Sequence, residues 1–369
     1  MRIGYDAKRY FLNKSGLGNY SRDLVRVMEQ YYSENDYIKY TPKINGKGFS
    51  DVSIKLPRGR LNTFLPSIWR NKWIVDDLKK DDIDIYHGLS GEIPMGLAKN
   101  GIKSVVTVHD LIFLKFPELY KPIDRYIYNR KFKRATQEAD KIVAISQQTK
   151  RDIMEFYGID SNRIDVIYQG CHPAFKIKKT AGQKELLRAK YKLPQNFVLN
   201  VGSIEPRKNA FQIVKAVEQL DIPLLIIGKE TNYSKRIKEY IHANGLQHKI
   251  HILQGFNMEE LSTIYAMAEL FIYPSKYEGF GIPIIEAIYS GTPVITTNSG
   301  VFPEAGGPFS YYIDPQNTEE LSYAIQSVLD SSTMRQEMIT KGLEFVQQFN
   351  DDKIAAQWNG IYTNLNGSI

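Results

Sequence analysis

Short apolar runs rich in β-branched residues alternate along this chain with longer stretches whose apolar positions recur at helical spacing. In the first half the runs 2–7, 38–44, 52–56, 83–87, 104–109, 141–145 and 164–168 read as strands, and helical stretches fall near 19–32, 65–79, 122–138 and 147–157. In the second half strands are predicted at 197–201, 224–227, 250–253, 270–273 and 294–297, with helices between them. Continuous apolar strands separated by helices predict parallel sheets covered on both faces. The chain is therefore expected to be an α/β protein of two Rossmann-like domains. The expected boundaries are 1–172 for the first domain, 173–195 for a Lys-rich linker after His172-Pro173, and 196–349 for the second domain. Ligands of open parallel sheets bind beyond the carboxyl ends of the strands. A site is thus expected at strand ends, in a cleft where the two sheets face each other.

Composition agrees with this layout. A chain of 369 residues is too long for one ordinary core and natural for two. No run approaches the roughly 20 apolar residues that span a bilayer, and the start, M-R-I-G-Y-D-A, reads as a first strand and not as a signal peptide. The single cysteine, Cys171, allows no intrachain disulfide and no cysteine-based metal site, and a reducing cytoplasm fits. Charge is uneven. Residues 1–172 carry 29 Lys/Arg against 21 Asp/Glu, a net +8, whereas 173–369 carry 19 against 20, a net −1. An excess confined to one half suits an anionic partner, such as a phosphate-linked lipid or a membrane surface, or simply a solvated basic face. It lacks the aromatic–basic interleaving of a nucleic-acid groove.

Two glutamates eight positions apart carry the most chemical information. Glu278 and Glu286 stand in Y-E-G-F-G-I-P-I-I-E-A, after the predicted strand 270–273. Pro283 suits the first turn of a helix and Gly291 its end. The first carboxylate is expected in the strand-to-helix loop and the second on the first helical turn. Two acceptor-only groups flanking a helix start suit a ligand with hydroxyls at both ends and an anion between them. A nucleotide sugar has that layout.

This motif resembles the acidic signature of the retaining family-four glycosyltransferases, whose two Rossmann-like domains form the GT-B architecture. The resemblance implies that Glu278 contacts the donor sugar and Glu286 the ribose, with the backbone of Gly279, Phe280, Gly281 and Ile282 meeting sugar and phosphate. It extends to Val201-Gly202-Ser203-Ile204-Glu205-Pro206-Arg207-Lys208-Asn209. There two adjacent cations at a helix start make an anion trap, matching the family's loop for the donor diphosphate. Many members have Arg where this chain has Ser203. The E-P-R-K-N run is similar to mannosyltransferase-like members, which makes GDP-mannose the expected donor.

Further matches follow from the same resemblance. His109 ends the strand V-V-T-V-H-D where the family places a histidine beside the donor sugar, and Asp110 is expected to fix the loop. Gly16 and Gly18 match a glycine-rich loop against the donor phosphate; Ser21 breaks the dinucleotide fingerprint, against a nicotinamide or flavin enzyme. Gly255 and Phe256 fall in a loop flanking the base, Phe256 packing on the ring or in the core. His87 is a second cleft candidate, toward the acceptor. The segment 350–369 is expected to fold back on the first domain as a helix.

No cofactor and no metal is expected: Asp82-Ile83-Asp84 leads into a strand instead of ending one, and reads as a solvated loop. The stretch 57–73 mixes four cations with two tryptophans, and suits either a membrane interface or a helix packed on the first sheet. The resulting expectation is a cytoplasmic, metal-independent, retaining hexosyltransferase, peripheral to the membrane's inner face, acting on a glycan or lipid-linked oligosaccharide in surface polysaccharide synthesis. A sugar-nucleotide epimerase and a silent nucleotide-sugar-binding module are the alternatives.

Overall fold

Seven parallel strands build the first sheet: β1 (Arg2–Asp6), β2 (Asp36–Tyr40), β3 (Ile54–Lys55), β4 (Ile85–Gly88), β5 (Lys103–Val108), β6 (Lys141–Ala144) and β7 (Ile164–Val166). Their spatial order is β3-β2-β1-β4-β5-β6-β7. Six more build the second: β8 (Val198–Val201), β9 (Leu224–Ile227), β10 (Ile250–Leu253), β11 (Leu270–Tyr273), β12 (Val294–Thr297) and β13 (Tyr311–Ile313), ordered β10-β9-β8-β11-β12-β13. The structure, a computed structural model, describes residues 1–13, 16–44 and 53–367. Both sheets are doubly wound. Strand order reverses between β1 and β4 in one and between β8 and β11 in the other, and such switch points open crevices at the strands' carboxyl ends.

The chain divides into two compact units, Met1–Gln169 with Asn350–Ile369, and Gly170–Phe349. The central strands are apolar on both faces because helices cover both: β4, β9, β11 and β12 are buried at every residue. The helix Asp351–Asn366 joins the first unit. Its Trp358 and Tyr362 are buried among Ile3, Tyr5 and Ile85, and its Asp351 pairs with Arg26 at 2.7 Å. Such an aromatic anchor contributes about 3–5 kcal/mol against truncation to Ala.

Three expectations change. The stretch 173–195 is no linker: it holds a 3-10 turn, Pro173–Lys176, and a helix, Ala181–Tyr191, opened by a Thr180/Gln183 capping box. That helix is tied into the second unit by Lys184 to the Ala266 carbonyl (2.6 Å) and Tyr191 to Glu260 (2.8 Å). Lys190 is exposed and only Leu187 is buried, so its sequence carried little apolar signal. The strand predicted at 38–44 stops at Tyr40, ahead of Pro42, which has no N–H for a ladder. Part of the strand predicted at 52–56 lies outside the described residues, and pairing is seen only for Ile54–Lys55.

Candidate active site

The second sheet's switch point separates β8 from β11. The loops leaving these two strands carry the predicted basic elbow and the first of the paired acids. β8 runs into Gly202, whose φ of 151° lies in the region that favours glycine. A Cβ there would stand 3.1 Å from the Lys208 Cδ, so the absent side chain makes room for the lysine stem. Gly228, just after β9, allows the Gly202 carbonyl to approach: its Cβ would fall 1.8 Å from that oxygen. Arg207 and Lys208 lie on a 3-10 turn, Pro206–Lys208, which Asn209 ends at φ 62° before the helix Ala210–Val217.

From the other loop Glu278 meets them. Its Oε1 accepts from Arg207 Nη1 at 2.8 Å, Lys208 Nζ at 3.1 Å, Tyr273 OH at 2.9 Å and Ser275 Oγ at 2.9 Å. Lys208 Nζ also donates to Tyr273 OH at 2.8 Å, and Arg207 donates to the Tyr277 carbonyl. Burial pushes the Glu278 carboxyl up, but Lys208 and Arg207 outweigh it and hold its pKa at about 2. Burial likewise opposes the charge of Lys208, and Glu278 outweighs it, keeping the ammonium above its ordinary value. The cluster is fully ionised near neutrality, with two cations against Glu278 at one strand end. A carboxylate this acidic and this saturated with donors is a poor proton acceptor and a good electrostatic anchor.

Glu286 is placed differently. The helix begins at Ile282 with Pro283 second, so Glu286 projects from its second turn and not, as expected, from its first. Its Oε2 accepts from Tyr265 OH at 3.1 Å, and burial raises its pKa to about 7. Among the described residues no cation offsets it. Two carboxylates of one motif thus have opposite electrostatics: one locked as an anion, the other poised to titrate. The residue at the helix start, Gly281, has no side chain to cap it; its φ is 134°, and an added Cβ there would press on that of Ala305 at 3.2 Å.

The other predicted residues separate into those near this cluster and those held elsewhere. Ser203 Oγ donates to Glu205 Oε1 at 2.6 Å, and Glu205 lies 3.7 Å from Arg207. Gly255 is exposed with φ 92°, and Phe256 packs edge-on against Tyr191. Phe280 is buried and turns its ring into the core against Phe349, so its side chain is not offered to a ligand. In the first unit Gly16 opens the helix Gly16–Tyr31 with space around it. Gly18 is glycine for the chain's own sake: a Cβ would sit 1.9 Å from the Asn13 carbonyl oxygen.

The two histidines are both buried in the first unit. His109 Nε2 bonds the Leu89 carbonyl at 2.8 Å, which can only accept, so that nitrogen carries the proton. Its Nδ1 then accepts from Gln169 at 3.1 Å, and burial lowers its pKa to about 4. His109 is neutral at pH 7 with both nitrogens engaged. Asp110 fixes its turn through Ile112 N–H, as expected. His87 corrects the expectation of an acceptor contact. It is fully buried, bonded to Tyr362 OH at 2.8 Å and Thr107 Oγ1 at 2.7 Å, and packed on Trp358, so the C-terminal helix covers it. Burial lowers its pKa to about 3.

Tyr273, Ser275 and Tyr265, which orient the two acids, were not singled out from sequence. Tyr273 ends β11 five residues before Glu278, and that proximity is the only signal it gave. Asp82 and Asp84 sit in a loop beside Arg2, as expected of a solvated turn. In the stretch 57–73, Trp69 is fully buried and bonds Asp77 at 2.7 Å, whereas Leu61, Phe64 and Ile68 are exposed, Phe64 at 81%.

Residues 183–345 match the glycosyl transferases group 1 family, and residues 15–175 match Glycosyltransferase Family 4. The chain is 27% identical to O-antigen chain mannosyltransferase B of Escherichia coli, across 94% of this chain and 96% of that protein. It is 27% identical to the serotype-specific mannosyltransferase WbdA of Escherichia coli across 73% of this chain, which amounts to only 34% of that longer protein. Among solved structures, the sucrose-phosphate synthase of Thermosynechococcus elongatus superposes over the full length of both chains with a TM-score of 0.81 at 21% identity.

Proposed function

The chain belongs to the glycosyltransferases of group 1 and family 4, with the GT-B fold, and on that premise we propose that it transfers mannose from GDP-mannose with retention of configuration. The acceptor in this reading is a glycan or lipid-linked oligosaccharide in surface polysaccharide assembly. The mannosyltransferase names of the relatives and the E-P-R-K-N loop support the donor and the pathway.

One observation carries the chemistry: Arg207 and Lys208 converge on Glu278 at the switch point of the second sheet. A donor diphosphate laid along the β8 loop meets a bidentate guanidinium and a point charge, and Glu278 is left to take a sugar hydroxyl. Charge grows on the diphosphate as the bond from the anomeric carbon to its oxygen breaks. Fixed cations therefore bind the transition state more strongly than the ground state. The acceptor oxygen bonds the anomeric carbon on the same face, and its proton passes to the leaving phosphate oxygen. Glu278, with its low pKa and four donors on one oxygen, supports positive charge on the sugar instead of taking that proton. Glu286 takes the ribose hydroxyls through its carboxylate form. In this reading the positive charge comes from side chains, so transfer proceeds in EDTA.

Exposed Leu61, Phe64 and Ile68 beside Arg58, Arg60 and Lys72 support peripheral contact with an anionic cytoplasmic membrane face. The decisive experiment incubates the full chain with GDP-mannose, UDP-glucose or dTDP-rhamnose, with and without mannose-terminated oligosaccharides. Release of GDP with formation of an α-linked product is expected. Recovery of an epimerised sugar nucleotide without acceptor, or tight donor binding with no nucleotide release, would replace the proposal with one of its alternatives.

A further inference from the structure

The first sheet has its own switch point, between β1 and β4, and a cavity of about 280 Å³ opens beside it. Lys8, two residues beyond β1, and Lys43, three beyond β2, line it together with Arg70, Lys131, Leu12 and Pro42. Arg70 sits in a π-helical turn, Trp69–Trp73, a departure from α geometry that often marks functional positions. The buried guanidinium is held by Asp6 at the end of β1, through Nε at 3.0 and 3.1 Å, and by Glu92 beyond β4, through Nη1 at 2.8 Å. Lys131 Nζ reaches the same Glu92 oxygen at 3.0 Å.

Charges around the cavity do not balance. Asp6 and Glu92 are taken up by Arg70 and Lys131, and among the described residues neither Lys8 nor Lys43 forms an ion pair. Lys8 is half-buried in this field, and burial together with Arg70 lowers its pKa. A cavity at a strand-end crevice with two excess cations and apolar Leu12 and Pro42 fits a compact dianion attached to carbon. We propose that Lys8, Lys43, Arg70 and Lys131 form a second anion-binding subsite, which takes a phosphoryl or diphosphoryl group carried by the acceptor. The acceptor role rests on the glycosyltransferase reading above; the anion site does not.

The test is calorimetric titration of the full chain with inorganic pyrophosphate, in wild type, in a Lys8→Met/Lys43→Met double variant and in Lys208→Ala, each checked for an intact thermal transition. Wild type is expected to show two sites. The double variant should weaken one of them at least tenfold and spare the other, and Lys208→Ala should do the converse. Two unaltered sites in the double variant would overturn the inference. Loss of a site in the double variant with no effect of Lys208→Ala would uphold it and count against the donor reading. In the Lys208→Ala background, farnesyl diphosphate and mannose 1-phosphate then separate a lipid-linked from a soluble source. Tighter binding of either, abolished by adding Lys8→Met and Lys43→Met, supports the subsite, and binding of neither at millimolar concentration overturns it.

Discussion

Lys208→Ala isolates the effect on which the proposed chemistry depends. The substitution removes an ammonium 3.1 Å from Glu278 Oε1 and 2.8 Å from Tyr273 OH. Glu278 keeps Arg207, Tyr273 and Ser275 as donors. The fold therefore loses about 1.5–3 kcal/mol, the range for a charge-assisted bond, which lowers Tm by about 2–4 °C per kcal/mol in a unit of this size. Turnover should fall much further. A fixed donor aimed at developing negative charge contributes about 2.7–4 kcal/mol to the transition state, or roughly 10²–10³ in kcat. The assay is nucleotide release at saturating donor and acceptor, beside a thermal melt and a donor titration. A variant that melts roughly 3–12 °C below wild type, binds donor within tenfold and turns over a hundredfold more slowly meets the expectation. A kcat within about threefold of wild type would refute the assignment of Lys208 to the leaving group.

Other consequences are equally open to measurement. Glu278→Gln leaves Arg207 and Lys208 without their buried counter-ion, so the urea midpoint should drop by the equivalent of about 3–5 kcal/mol and transfer should be lost. Because the Glu286 pKa is raised to about 7, its carboxylate form grows as pH rises from 6 to 8. Donor affinity should strengthen over that window, and Glu286→Gln should flatten the profile. Buried neutral His87 has its pKa lowered to about 3, so the unfolded chain takes up its proton first. That part of the stability is complete above about pH 6.5 and is lost as pH falls toward 3, to be read from urea midpoints at pH 7.5 and 5. Gly228→Ala places a Cβ against the Gly202 carbonyl, and should disturb the β8 loop enough to weaken donor binding at least tenfold in the same titration.

Much of this architecture was legible because parallel strands buried on both faces are written as unbroken apolar runs. Leu270–Tyr273 and Leu224–Ile227 stand out in the sequence and occupy interior positions of the second sheet. The edge strand Tyr311–Ile313 was missed, since it has three residues and only Ile313 is buried. Helical periodicity predicted a helix near 65–79, where the structure has helical residues 66–80, but it did not show the π turn at 69–73 or the contact from Arg70 to Asp6, 64 residues away in sequence. At the site, the loop residues Glu278, Arg207 and Lys208 could be named because their chemistry is unusual for their positions. The hydroxyls that orient them could not, because a tyrosine at a strand end is ordinary until the fold sets it beside a carboxylate. His87 misled for a related reason. It ends a strand as an active-site residue does, yet a helix from the far end of the chain covers it.

The most direct measurement is a crystal structure of the full chain with a non-transferable GDP-2-fluoromannose. The account predicts diphosphate oxygens within about 3 Å of the Arg207 guanidinium and the Lys208 ammonium, a sugar hydroxyl on Glu278 and the ribose on Glu286. A nucleotide bound away from the β8 and β11 loops, with Arg207 and Lys208 still paired only to Glu278, would contradict it.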